Sequence, residues 1–441
     1  MKLNISRFAA TTCLAVAAAA SPINSQAATE IIWWHAMSGA LEGWVNDLAK
    51  NFNESQTEYK VVPVLKGSYD EAMTAAAAAF RAGNQPDILQ VFEVGTATMM
   101  ASKNTIVPVT EVMKKAGITF KPANYVPAVI GYYTAPSGEV LSFPFNSSTT
   151  VLFYNKDAFK AAGLDPEKPP VTWTDMENVM TKLKASGSTC PYTTSWMSWV
   201  QLESFSAWHD TEFATLGNGM KGLKTRLTFN APLQQRHIGN LEKWSKEGLF
   251  KYNGRASAAT NSFVSGDCAM ITGSSATYAD VKRSGKFAFG ISTLPYYQDI
   301  KGAPQNTVIG GASLWTMAGK PADHYKGVAQ FFAYLSKPEV AAASHQRTGY
   351  LPVTIAAYEL TDKSGFYKEN PGTDVAVTQM IRKTTDKSRG IRLGNFVQIR
   401  TIIDEELEQV WSGKKSSKEA LDTAVKRGNE QLERFEKANS K

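Results

Sequence analysis

The chain has 441 residues, 47 Lys and Arg against 40 Asp and Glu, a net charge of +7, and 11% aromatic residues including ten Trp. That length predicts two or more domains, each large enough to bury its own core. The mild positive balance suits an anionic partner, but the basic residues form no dense cluster, which argues against nucleic acid.

Lys2 and Arg7 precede an alanine-rich apolar run, Phe8 to Ala20, and Ser25-Gln26-Ala27 offers small residues for cleavage. This pattern predicts a secretory signal peptide over residues 1–27, with the mature chain starting at Ala28. The run is too short for a permanent anchor, and no later stretch reaches the roughly 18 apolar residues a membrane helix needs. An exported chain works without ATP or reduced nicotinamide, so binding, hydrolysis and transport are the leading functions. Cys13 falls in the leader, which leaves Cys190 and Cys268. In an oxidising compartment these form one disulfide or remain two buried thiols, and spacing does not choose between them.

The mature chain opens with a strand at Glu30 to Trp34. Leu41, Trp44, Val45, Leu48, Ala49 and Phe52 then recur at helical spacing. Tyr59 to Leu65 reads as a strand. Ser68 with Glu71 makes a capping box for a helix that Gly83 ends. Ile88 to Phe92 is the next buried strand. This alternation predicts a doubly wound sheet, whose ligands sit beyond the carboxyl ends of its strands, where Glu93 lies.

A second α/β unit starts at Val151 to Tyr154, followed by a helix at Asp157 to Ala162 and another that Thr172 caps. Short strands are expected at Ala269 to Ile271 and at Phe287 to Leu294, and Lys224 to Phe229 is strand-like. Val328, Phe331, Phe332 and Leu335 make one helical face, which Pro338 breaks. Ile402 to Trp411 and Ala420 to Phe435 are terminal amphipathic helices. With no flexible linker, the two α/β lobes are expected to be joined by crossing segments near 145–149, 273–275 and 319–322.

Several motifs carry no chemistry. Gly217 to Gly222 matches a dinucleotide fingerprint in letters, but no helix pattern follows it, so it reads as a turn. The five histidines show no metal-ligand spacing, and His209-Asp210 lacks a serine in a nucleophile elbow. No metal, cofactor or catalytic residue is expected. Three loops suit an anion: Asn146 to Thr150, Gly273-Ser274-Ser275, and Gly310-Gly311-Ala312-Ser313. Hydroxyls and bare backbone N–H groups coordinate phosphate without neutralising it. Arg392 and Arg400 offer bidentate forks. Trp196 and Trp199 present faces for a small polyol, with core packing as the rival role for Trp199 and Trp208.

Runs along the whole mature chain match one family. They include Val91-Phe92-Glu93-Val94-Gly95-Thr96-Ala97-Thr98, Pro144 to Thr149, Tyr154-Asn155-Lys156-Asp157 and Ile309-Gly310-Gly311-Ala312-Ser313-Leu314-Trp315. Thr348-Gly349-Tyr350-Leu351-Pro352 and Arg392-Leu393-Gly394-Asn395 complete the set. On these residues the chain resembles the glycerol-3-phosphate-binding proteins of bacterial ABC importers, within the maltose-binding-protein-like solute-binding family. The resemblance implies a periplasmic, monomeric, non-catalytic α/β protein with two lobes that close on a ligand. It further implies delivery of sn-glycerol 3-phosphate, and glycerophosphodiesters such as glycerophosphocholine, to a membrane permease with ATPase subunits. A sugar or oligosaccharide carrier is the alternative within the class, and a secreted phosphodiesterase the alternative outside it.

The implied ligand residues are Tyr69, Glu93, Ser148, Trp196, Trp199, Ser274, Gly311, Tyr350 and Arg400. Glu93 is expected on the glycerol hydroxyls, and the phosphate away from it, toward Ser148 and Arg400. Because the loop before Arg392 departs from the family pattern, Arg392 competes with Arg400 for the phosphate. The lobes are expected to divide at 28–145 and 274–320 for the first, and 146–273 and 321–441 for the second.

Overall fold

The computed structural model describes residues 1, 27–102 and 104–440. The expected leader segment and Cys13 lie outside the described residues. Two sheets organise the rest. In the first, β1 (Thr29–His35) pairs in parallel with β2 (Tyr59–Leu65) and β3 (Ile88–Phe92). β4 (Ile106–Val107) and β5 (Phe143–Ser148) join it through the antiparallel strand β10 (Gly310–Met317), which also pairs with β3. The second sheet has β6 (Thr150–Asn155) between β8 (Met270–Ser274) and β9 (Phe289–Ser292), both antiparallel to it. Short β7 (Thr193–Thr194) runs parallel to β8. The fold is thus a mixed α/β pair of lobes. The parallel order expected from the sequence is limited to β2-β1-β3 and the short β7–β8 pair.

The helices follow local rules. Ala40–Ser55 buries Trp44, Val45, Leu48, Ala49 and Phe52 against the first sheet. Both halves of the capping box form at Ser68 and Glu71, opening Tyr69–Arg81. Thr172 and Asp175 make a second box for Trp173–Ala185. Pro338 begins a helix, Pro338–Thr348, as well as closing the previous one, Ala322–Leu335; its missing N–H costs nothing in a first turn. Lys224 to Phe229 joins neither sheet and makes a single antiparallel bridge, Leu227 to Ala214. Thr228 N bonds the Phe213 carbonyl and Leu227 N bonds the Asn429 side chain, so the extended run has no continuous ladder partner. Leu216, Gly217, Asn218 and Gly219 all take positive φ, which makes the fingerprint-like segment a turn.

Only Thr149 separates β5 from β6, so one residue carries the chain from the first sheet to the second. The return runs between β9 and β10, and its Thr307 hydroxyl bonds the Thr149 hydroxyl. The chain passes over again after Pro338–Thr348, which packs on Ala40–Ser55, and before Val375–Met380, which packs on β6. Two expected crossings differ. Gly273 and Ser274 pair with β6 inside the second sheet, and 319–322 joins β10 to a helix packed on β1. The expected boundaries shift for the same reason. β9, expected in the first lobe, pairs with β6, while Ala322–Leu335, expected in the second, packs on β1.

Cys190 and Cys268 form a disulfide, with Cα atoms 4.5 Å apart. The Ala269 N–H also bonds the Cys190 carbonyl, so the bridge ties two chain segments that already meet.

Candidate functional site

A cleft of about 500 Å³ lies between the lobes. Tyr69, Glu93, Ser148, Trp196, Trp199, Ser274, Gly311, Tyr350 and Arg400 all line it. From the first sheet, the end of β3 delivers Glu93, the end of β5 delivers Ser148 and the start of β10 delivers Gly311. From the second, the end of β8 delivers Ser274. Strand ends are where open α/β sheets bind.

Gly311 has φ +85°, and a Cβ there would overlap the Asn146 backbone carbonyl. Only glycine lets β10 come this close to β5. Behind this contact runs a buried polar chain. Ala36 N donates to Gln90 Oε1, Gln90 Nε2 to Asn146 Oδ1, and Asn146 Nδ2 to the Tyr69 hydroxyl at 3.1 Å. Tyr69 stacks on Phe92 with ring centres 4.9 Å apart. Burial pushes the Tyr69 phenol well up and the Tyr350 phenol up to about 12, so both stay neutral hydroxyls. The Ser148 hydroxyl has no protein partner among the described residues. Ser274 Oγ accepts from Ala276 N, which leaves its own proton to donate.

Three helices point their N-terminal ends at this space. Ser38 and Gly39 precede Ala40–Ser55, Ser68 and Tyr69 open Tyr69–Arg81, and Ala276 and Thr277 open Thr277–Ser284; all six residues line the cleft. The positive dipole end at each favours an anion; at two of them protein groups already take first-turn donors, Ala40 N giving to Asp280 Oδ1 and Glu71 N to Ser68 Oγ.

At the other wall, Arg400 meets two carboxylates. Its Nη2 donates to Glu93 Oε1 at 2.6 Å and to Glu203 Oε2 at 2.7 Å, and its Nε donates to Glu203 Oε1 at 2.8 Å. Burial opposes the guanidinium charge, but the Glu203 and Glu93 carboxylates overcome it and raise the pKa further. Burial likewise lifts Glu93 above the usual carboxylate range, against the pull of Arg400. Glu93 and Arg400 touch, so the carboxylate expected on the glycerol hydroxyls and the guanidinium expected on the phosphate stand side by side in one wall. Arg392 lies outside the lining; its guanidinium donates to the Gly131 and Tyr132 carbonyls.

Trp196 and Trp199 come from an irregular segment. Trp196 has φ +51°, rare for an aromatic residue, just before the π-helix Trp199–Ser204. Trp199 is buried and Trp196 half-buried at the cleft. Trp208 belongs to the core, with its indole N–H on the Leu294 carbonyl. His209 is structural. Its Nδ1 meets the Phe205 carbonyl, its Nε2 accepts from Tyr297 N, and burial lowers its pKa to about 4.

Sequence reasoning missed Glu203 and Asp404. Glu203 is only 1% exposed, and its signal was a charged residue interspersed among Trp199, Val200, Leu202 and Phe205. Asp404 lines an adjoining cavity of about 150 Å³ with Tyr69, Asp70, Trp196, Arg255 and Arg400. Burial lifts its pKa to about 7, with Glu408 and Glu203 adding to the rise and Arg255 and Arg400 opposing it.

The family model described as bacterial extracellular solute-binding protein matches residues 47–374. The sn-glycerol-3-phosphate-binding periplasmic protein UgpB of Salmonella typhimurium is 55% identical over 415 residues, 94% of each chain. Its counterpart in Pectobacterium atrosepticum is 54% identical over 430 residues, 97% of each. Among solved structures, UgpB from Mycobacterium tuberculosis in complex with glycerophosphocholine superposes with a TM-score of 0.77 at 20% identity, covering 92% of this chain and 99% of that one. A solute-binding protein from Thermotoga lettingae bound with α-D-tagatose gives 0.74 at 18%, with 92% and 100% covered. At such identities these two structures speak for the fold.

Proposed function

This chain belongs to the bacterial extracellular solute-binding protein family, and from that premise we propose that it is the periplasmic capture component of an ABC importer for sn-glycerol 3-phosphate. The ligand is named in its relatives at 55% and 54% identity. The protein binds, hands its cargo to a membrane permease driven by ATPase subunits, and performs no chemistry.

The observation that carries this reading is the division of the cleft into two chemistries. One wall holds the Glu93 carboxylate and the Arg400 guanidinium in contact; the other holds hydroxyls, a bare glycine backbone and helix N-termini, with the Asp280–Arg283 ion pair also lining the cleft. A glycerol hydroxyl both donates and accepts, so it fits the Glu93–Arg400 pair, with the Trp196 and Trp199 faces against its C–H groups. Phosphate fits Ser148, Ser274, Gly311, Tyr350 and the first turn of Thr277–Ser284. Arg400 therefore serves the polyol end. The cleft and its 150 Å³ extension also leave space for the second alcohol of a diester such as glycerophosphocholine.

Calorimetric titration with sn-glycerol 3-phosphate, glycerophosphocholine and maltose tests the assignment. Saturable binding of the first two with none of maltose supports it. Binding of maltose alone turns the protein into a sugar carrier.

A further inference from the structure

Glu203 does not line the cleft, yet it governs a residue that does. We propose that Glu203 is a positioning residue that sets polyol specificity by committing one edge of the Arg400 guanidinium. The inference rests on the reading that the Glu93–Arg400 pair meets the glycerol hydroxyls.

A guanidinium has five N–H groups. In Arg400, Nε gives its one to Glu203 Oε1, and Nη2 gives its two to Glu203 Oε2 and Glu93 Oε1. Nη1 has no protein partner among the described residues. The Glu203 fork thus fixes the plane of the guanidinium, and one nitrogen remains for a ligand. Glu203 is itself held, because Ser198 Oγ donates to its Oε1 at 2.8 Å.

Charge points the same way. Glu93, Glu203 and Arg400 together carry one positive and two negative charges, so an anion gains no net attraction from the group. A hydroxyl loses nothing by this, since it donates to the Glu93 carboxylate and accepts from Nη1. Without Glu203, Arg400 would be a looser and more positive group, drawn to phosphate on any alcohol.

The backbone explains how a buried acid reaches this place. Glu203 sits in the π-helix Trp199–Ser204. A π-turn inserts one residue into the helical register. In a regular α-helix the same side chain would point about 100° away, one residue's rotation at 3.6 residues per turn. π-turns recur at functional sites, and the positive φ of Trp196 just upstream marks further local strain.

The test uses the full mature protein, Glu203→Gln, and Glu203→Asp in case the Gln variant folds poorly. Each is titrated with sn-glycerol 3-phosphate and with 3-hydroxypropyl phosphate, which lacks the middle hydroxyl. We expect the wild type to favour the first by at least about tenfold, the scale of one well-placed hydrogen bond, and the Gln variant to lose most of that ratio. A ratio unchanged while both affinities fall together overturns the proposal, because general destabilisation produces that result. A second arm needs no ligand. The ¹⁵N signal of the Arg400 Nε–H should exchange slowly with solvent in the wild type and in Glu93→Gln, and rapidly in Glu203→Gln. Protection retained without Glu203 also overturns the proposal. Should the wild type bind neither phosphate, the ligand reading fails, and this arm still decides what Glu203 does to Arg400.

Discussion

Arg400 does most of its electrostatic work inside the protein. Truncating it leaves Glu93 and Glu203 facing one another in a buried site, so Arg400→Ala should weaken sn-glycerol 3-phosphate binding by about 2–5 kcal/mol, the usual cost of breaking a buried charged pair. An unchanged dissociation constant by calorimetry would remove it from the site. Glu93→Gln keeps the shape but turns half the group into a donor, and affinity should fall at least about tenfold; equal affinity would make Glu93 structural. Asp404 gives a pH signature. Its folded pKa of about 7 stands above the unfolded 3.8. Between those values the folded state keeps a proton that the unfolded chain has released, so Asp404 costs stability increasingly as pH rises through that window, and fully above it. Asp404→Asn should therefore raise the melting temperature at pH 8 and leave it unchanged near pH 3; an equal gain at both would tie the effect to packing. At this scale the sequence was informative where residues sit in family motifs, and the nine so chosen share one cleft. It was silent on Glu203, because a lone acid interspersed among apolar residues shows that something must compensate it without showing which cation does.

Elements that obey local rules were the legible ones. The capping boxes at Ser68 and Thr172, the apolar face of Ala40–Ser55 and the runs of β1, β2 and β3 are each written within a few neighbouring residues. Sheet membership is not local. β9 and β10 follow each other in sequence yet join different sheets, and only pairing partners far along the chain decide that. The π-helix escaped for a related reason, since its extra residue leaves the apolar pattern intact and changes only where Glu203 points. The disulfide was open for want of a distance, and the fold supplies it. Its partners are also joined by the Ala269–Cys190 backbone bond next to β8. Replacing both cysteines by serine should cost about 2–4 kcal/mol, the usual worth of a bridge, while ligand affinity stays within about twofold, inside the usual uncertainty of additivity for distant sites. Denaturant unfolding and calorimetry on the same variant check both halves. Lost binding with unchanged stability would show that the bridge shapes the cleft.

At the scale of the molecule, Glu93 belongs to the first lobe and Arg400 to the second, so their 2.6 Å contact spans the cleft. The passages between lobes lie beside ligand-lining residues. Thr149 follows Ser148, Thr307 precedes β10 and Gly311, and the Leu351 N–H bonds the Ser147 carbonyl. A change in the angle between the lobes therefore moves the two walls of the site relative to each other. A ligand that needs both walls binds the closed form better than any open one, and that difference in affinity is what shifts the population. Ligand at 100 times its dissociation constant supplies about 2.7 kcal/mol toward the bound state. Small-angle scattering should show a smaller radius of gyration with saturating sn-glycerol 3-phosphate than without, and the melting temperature should rise in parallel. Ligand-free Glu93→Gln, with its charged contact across the cleft weakened, should be larger than the ligand-free wild type. Tight binding with the same radius in every state would leave the ligand assignment standing and remove hinge closure as its mechanism.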